Sequence, residues 1–182
     1  MPLAFNVRGQ QNEFVVVSSG LHLNPENAIT LEVRCCIREP RPDATLIARP
    51  CAADWRPPYV VYRLGFHRST CLPEFELLFR GDSQPTTILA PSSIPLGTPI
   101  HLAGTYGGRS MRLYVNGTEV ALREKTGTLA CSDQPTVFGA RSSTAVGGLF
   151  AGTLAELRIW EVARAANGRG GTGFLGQSIS RS

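Results

Sequence analysis

Two carboxylates spaced two residues apart are the first groups in this chain that could do chemistry. Glu74 and Glu76 fall on one side of an alternating run, with Phe75, Leu77 and Phe79 on the other. Two residues of a strand rise about 6.6 Å, a separation that suits a pair of acids acting on a glycosidic bond. The next residues along the run are Leu77-Leu78-Phe79, with no third acid. The expectation is therefore a solvated strand face whose charge Arg80 balances. A glycoside hydrolase using Glu74 and Glu76 ranks third among the functions considered, and no catalytic residue is assigned. Nucleophilic catalysis lacks its parts, since there is no Gly-x-Ser-x-Gly and no Ser or Cys stands near a His in a recognisable arrangement.

Binding chemistry is better supplied, by the segment from Arg49 to Tyr59. Trp55, flanked by Asp54 and Arg56 and followed by Pro57, Pro58 and Tyr59, could stack on a sugar ring while its polar neighbours hydrogen-bond hydroxyls. Asp54, Trp55, Arg56 and Tyr59 are the candidate ligand-binding residues. The competing expectation is that Trp55 folds back over the edge of the domain. Trp160 and His101 are read as structural residues of strands. Metal ligation is not expected: Cys35, Cys36, Cys51, Cys71 and Cys131 form no CxxC pair, and His22, His67 and His101 are isolated. Five cysteines cannot all be bridged within one chain, so a mostly reduced protein is expected. The glycines from Gly168 to Gly173 come after the last strand, contain no Lys and open no helix, so they are not a phosphate cradle.

These side chains must be held by something, and composition limits what. The chain has 182 residues, 42% hydrophobic and 18% charged, with 19 glycines and 13 prolines. That suits one domain with a real core and excludes a coiled coil, a helical bundle or a charged disordered tail. No apolar run reaches the roughly 20 residues of a membrane span. The net charge of +4 comes almost entirely from arginine, with Lys125 the single lysine. The arginines are scattered without a block, unlike the concentrated stripe of a nucleic-acid binder. The start, Met1 to Arg8, has neither a basic n-region nor a continuous apolar h-region. If Met1 is the native start, synthesis without conventional secretion is expected.

Short runs of β-branched and aromatic residues between turn signals predict an all-β chain of about twelve strands. From Ile29 to Arg38, Leu31, Val33, Cys35 and Ile37 share one face and Glu32, Arg34, Cys36 and Arg38 the other, which places Cys35 in the core. Asn116-Gly117, where two alternating runs meet, predicts a tight hairpin because both residues tolerate φ > 0. That turn also accounts for the Asn116-Gly117-Thr118 sequon. Residues 1–167 are expected to form the domain, and 168–182, rich in Gly and Ser, a flexible C-terminal arm.

The stretch Ile100-His101-Leu102-Ala103-Gly104-Thr105-Tyr106-Gly107-Gly108, with Met111 to Val120 after it, resembles the central signature of laminin-G-like, concanavalin-A-like jelly-roll domains, which include pentraxin-like members. Ile29 to Val33 is similar to that family's early strand and Phe150 to Trp160 to its closing strand. Phe5-Asn6-Val7 with Glu13 to Val17 is similar to its opening hairpin. The resemblance implies a two-sheet antiparallel sandwich that acts as a non-catalytic recognition module for a glycan or a protein, through loops at one end or a concave sheet. It also implies a calcium site. Where family members commonly carry acids, however, this chain has Gly107 and Ala155, and the opening turn reads Arg8-Gly9-Gln10-Gln11-Asn12, so weak or absent calcium binding is expected. The alternative function is a structural or assembly protein, homo-oligomeric or larger, that docks on a neighbour through the arm.

Overall fold

The computed structural model describes residues 4–8, 13–17, 23–144 and 147–164. The proposed arm lies outside them. Twelve strands occur among the described residues: β1 (Ala4–Arg8), β2 (Val15–Val17), β3 (Ile29–Ile37), β4 (Thr45–Pro50), β5 (Val60–Phe66), β6 (Pro73–Leu77), β7 (Thr86–Leu89), β8 (Pro99–Tyr106), β9 (Ser110–Val115), β10 (Thr118–Glu124), β11 (Thr136–Phe138) and β12 (Ala151–Trp160). They form two antiparallel six-stranded sheets, ordered β1-β12-β3-β8-β9-β10 and β2-β11-β4-β5-β6-β7. The chain is an all-β two-sheet sandwich, as its short runs and their spacing predict, and of the jelly-roll type that the resemblance implies.

Local chemistry explains these elements. In β3, Leu31, Val33, Cys35 and Ile37 are buried while Arg34 is exposed, which is the period of two read from the sequence. Asn116 and Gly117 adopt φ of 50° and 79° between β9 and β10, and the Asn116 side chain accepts a hydrogen bond from the His101 backbone N–H at 2.8 Å. One expectation fails at the N-terminal end. β1 and β2 do not pair with each other: β1 pairs with β12 in the first sheet and β2 with β11 in the second, so the chain crosses between layers there.

The layers pack tightly where β8 faces β6. A Cβ on Gly104 would lie 2.5 Å from the Phe75 ring, so only a glycine lets that fully buried ring reach the opposite sheet. Phe75 also sits in a cross-strand row on the core side of the second sheet, Ile47↔Leu64↔Phe75↔Ile88, all buried. Burial of each such side chain stabilises the fold by roughly 1.5–3 kcal/mol. The core face of the second sheet is thus fixed, and its other face is free to carry polar groups. No helix among the described residues is long and apolar enough to cross a membrane.

All five cysteines are unpaired. Burial, with a smaller contribution from Cys36, pushes the Cys35 thiol up to about 12, whereas Cys131 is exposed. At pH 8, Cys35 therefore stays a neutral, enclosed thiol. A thiol reagent applied to the native protein should modify Cys131 readily and Cys35 only on unfolding, and non-reducing denaturation should release at least three thiols. Rapid native labelling of Cys35, or two intramolecular bridges, would contradict this.

Candidate functional site

A groove of about 890 Å³ runs over the outer face of the second sheet, within the size range of saccharide and small-ligand sites. Its floor is set by register. Arg63 of β5 stands between Ala48 of β4 and Glu76 of β6, and Glu76 is opposite Thr87 of β7. In the adjacent outward row Gly65 lies between Thr45 and Glu74, and Glu74 is opposite Leu89. Gly65 has no room for a side chain: a Cβ would come within 2.6 Å of the Ala44 carbonyl oxygen and 3.2 Å of the Arg63 guanidinium.

The Arg63 guanidinium is the centre of this floor and is 2% exposed. Its Nε donates to Thr45 Oγ1 at 2.9 Å, and its Nη1 to Glu74 Oε2 at 2.5 Å and Glu76 Oε2 at 2.8 Å. Nη2 donates to Asp43 Oδ1 and the Asp43 carbonyl, each at 3.0 Å, and to the Phe66 carbonyl at 2.9 Å. Burial alone would pull its pKa down, but Glu76, Glu74 and Asp43 together outweigh burial and hold it above the ordinary arginine value. Burial, and then the charge of Glu76, hold Glu74 above the usual carboxylate range against the pull of Arg63 and His67.

This corrects the expected solvated face. Glu74 is 5% exposed and Glu76 half-buried, and their counter-ion is Arg63. Arg80 pairs instead with Glu26. β6 also ends at Leu77, so Leu78 and Phe79, both buried, do not continue the alternation. The two carboxylates converge on one guanidinium nitrogen, Arg63 Nη1, and are committed to it.

The wall of the groove is the loop joining β4 to β5. Its ends are closed by the Cys51 N–H to the Tyr59 carbonyl at 2.9 Å and the Tyr59 N–H to the Arg56 carbonyl at 2.8 Å, and Pro57–Pro58 is cis. Trp55 and Tyr59 take φ of 50° and 71°, left-handed conformations that cost bulky residues on the order of 1–3 kcal/mol each. Their rings stand 5.8 Å apart at 38°. Arg141 lies over the Trp55 ring at 5.1 Å and donates to Asp43 Oδ2 at 2.9 Å. A chain of contacts therefore runs from Trp55 through Arg141 and Asp43 to Arg63.

Of the four residues singled out in the sequence, Trp55 and Tyr59 line the groove, while Asp54 and Arg56 do not: they pair with each other at 3.4 Å in solvent. Asp43, Arg63 and Arg141 were missed. The signal available for Arg63 was an arginine inside the apolar run Val60 to Phe66, where a buried cation needs acids on the next strand. His101 is a half-buried strand residue, and Trp160 lies on β12 under the Arg164 guanidinium at 4.3 Å.

Of the implied calcium site, residues 9–12 of the opening turn lie outside the described residues. Among the described residues no cluster of three His, Cys, Asp or Glu could hold an ion. At the positions concerned, Gly107 abuts Ala163, and Glu156 beside Ala155 is committed to Arg34 and Arg158. The donor set does not fit calcium there.

A family model described as the concanavalin A-like lectin/glucanases superfamily matches residues 9–167. No curated protein matches the chain. Among solved structures, a proposed carbohydrate binding protein of Bacteroides ovatus is similar at 19% identity and TM-score 0.69, covering 90% of this chain, which spans 44% of that one. The native heptameric SAP-like pentraxin of Limulus polyphemus matches at 17% identity and TM-score 0.63, covering 90% of this chain and 77% of its own. The IT-sialidase CBM40 of Ruminococcus gnavus, bound to α2,3-sialyllactose, matches at 13% identity and TM-score 0.64, covering 88% and 96%. At these identities the likeness is one of fold.

Removing Arg63 leaves the buried Glu74 and the half-buried Glu76 without their cation, so Arg63→Met should destabilise by about 3–5 kcal/mol. Glu74→Gln, which leaves Arg63 with Glu76 and Asp43, should cost much less. The pH dependence comes from the raised Glu74 value. The folded chain holds that proton more tightly than the unfolded one, so this group's contribution is present below the ordinary glutamate pKa and lost as pH rises through the shifted value. Arg63→Met should therefore regain stability as pH falls from neutral toward the ordinary carboxylate range, and Glu74→Gln should flatten the wild-type profile there. Urea midpoints measured across that window check both.

Proposed function

The chain belongs to the concanavalin A-like lectin/glucanases superfamily, and from that premise we propose that it is a non-catalytic recognition module whose ligand is a glycan held in the groove of the second sheet. The observation that carries this is the placement of an aromatic pair, Trp55 and Tyr59, beside a floor of fixed polar groups. Sugars present apolar C–H faces and a rim of hydroxyls. A tilted aromatic wall takes the first, and immobile carboxylates and hydroxyls take the second. The left-handed backbone at both aromatic residues supports the reading, because such strain persists where surrounding contacts hold a side chain in a required position.

Several relatives in fold have names that speak of carbohydrate: the Bacteroides ovatus protein as carbohydrate binding, the Ruminococcus gnavus module with a bound sialyllactose. The glycosidase alternative is disfavoured by the guanidinium that Glu74 and Glu76 share. A divalent ion has no part in this proposal.

A glycan array with calorimetry on the hits tests it. Trp55→Ala and Tyr59→Ala should each weaken binding by about tenfold, a loss of about 1.4 kcal/mol, with little change in melting temperature. Binding should survive a chelator. A blank array, or hits that both variants retain at full strength, would remove the proposal, and release of free sugar would restore the hydrolase.

A further inference from the structure

The groove's polar groups differ in what they have left to offer a ligand. Arginine has five N–H donors, and those of Arg63 are engaged by Thr45, Glu74, Glu76, Asp43 and Phe66. Arg141 is committed to Asp43 and lies over Trp55, and its guanidinium is hemmed in by the backbone: a Cβ on Gly147 would sit 2.7 Å from Nη2. The carboxylates are in the opposite state. Each has about four lone-pair sites and no hydrogen to give, and Arg63 takes only part of that capacity from Glu74, Glu76 and Asp43. The floor therefore has acceptors to spare and few donors.

Resting on the glycan-binding proposal, we infer that the groove selects uncharged, hydroxyl-rich saccharides and discriminates against those bearing a carboxylate. A hydroxyl donates to a spare lone pair on Glu76 or Asp43. A sialic or uronic acid would bring a fourth carboxylate to a floor that already holds three, with the two guanidiniums that pair with them, Arg63 and Arg141, already engaged. Arg68 lines the groove too, but it is exposed, so its attraction for an anion is weakened by water and salt. Discrimination of this kind comes from the repulsion built against the wrong ligand as much as from contacts to the right one.

The test uses the whole chain and matched pairs of oligosaccharides that differ only in an acidic group, lactose against α2,3-sialyllactose among them, on an array and then in calorimetry. The expected result is at least about tenfold tighter binding of the neutral member, whose own affinity depends little on salt. Asp43→Asn and Glu76→Gln should each narrow that ratio by relieving repulsion. Should Asp43→Asn fail to fold, Glu76→Gln, which leaves Arg63 with Glu74 and Asp43, carries the comparison. Equal or tighter binding of the acidic members overturns the inference while leaving glycan binding intact. No binding to any saccharide overturns the glycan proposal and this inference with it.

Discussion

A guanidinium buried on the outer face of a sheet imposes conditions on everything around it. Arg63 cannot shed its charge, so each of its N–H groups must find an acceptor in place of water. Those acceptors come from five residues: the Thr45 hydroxyl, the carbonyls of Asp43 and Phe66, and the carboxylates of Asp43, Glu74 and Glu76. Gly65 then has to be a glycine, because the space a side chain would need is taken by the backbone before β4 and by the guanidinium itself. A desolvated cluster of this sort adds little net stability compared with an apolar one. What it does confer is a fixed arrangement of charge on a surface that would otherwise be wet and mobile.

That arrangement extends beyond the sheet. Asp43 accepts from Arg63 with one oxygen and from Arg141 with the other, and Arg141 in turn lies over Trp55. The loop between β4 and β5 is thus tied to the sheet by ionic and cation–π contacts as well as by its own backbone hydrogen bonds. The core side of the same strands is mostly apolar, and its polar groups, the buried Arg49 guanidinium and the Tyr62 hydroxyl, are both bonded to the Thr136 hydroxyl.

The sequence discloses much of the fold and less of the site, for identifiable reasons. Alternation in β3 and the Asn116-Gly117 pair depend on near neighbours, and both are visible in a linear reading. So is the separation of Phe75 and Leu77 from Glu74 and Glu76. The sequence does not reveal what the acids face, because Arg63 arrives from the preceding strand through register. Asp43 meets it across 20 positions and Arg141 meets Asp43 across 98. Trp55 and Tyr59 stood out by residue type, whereas Asp54 and Arg56, equally plausible by type, turn outward to each other. The hairpin of β1 and β2 that the resemblance implies is absent, since β1 joins β12 and β2 joins β11, and nothing local marks that separation.

The close approach of Gly104 to Phe75 bears on how a ligand would be met. Phe75 lies between Glu74 and Glu76 in sequence and points the opposite way, its ring held against the backbone of the other sheet. The strand that presents the two acids is pinned from behind at the residue between them. It cannot yield outward or rotate without opening the interior, which holds the two carboxylates in one arrangement. Such a surface loses little conformational entropy on association. A ligand taken up in the proposed way would therefore meet a floor that does not adjust to it, and the fit would be a rigid one.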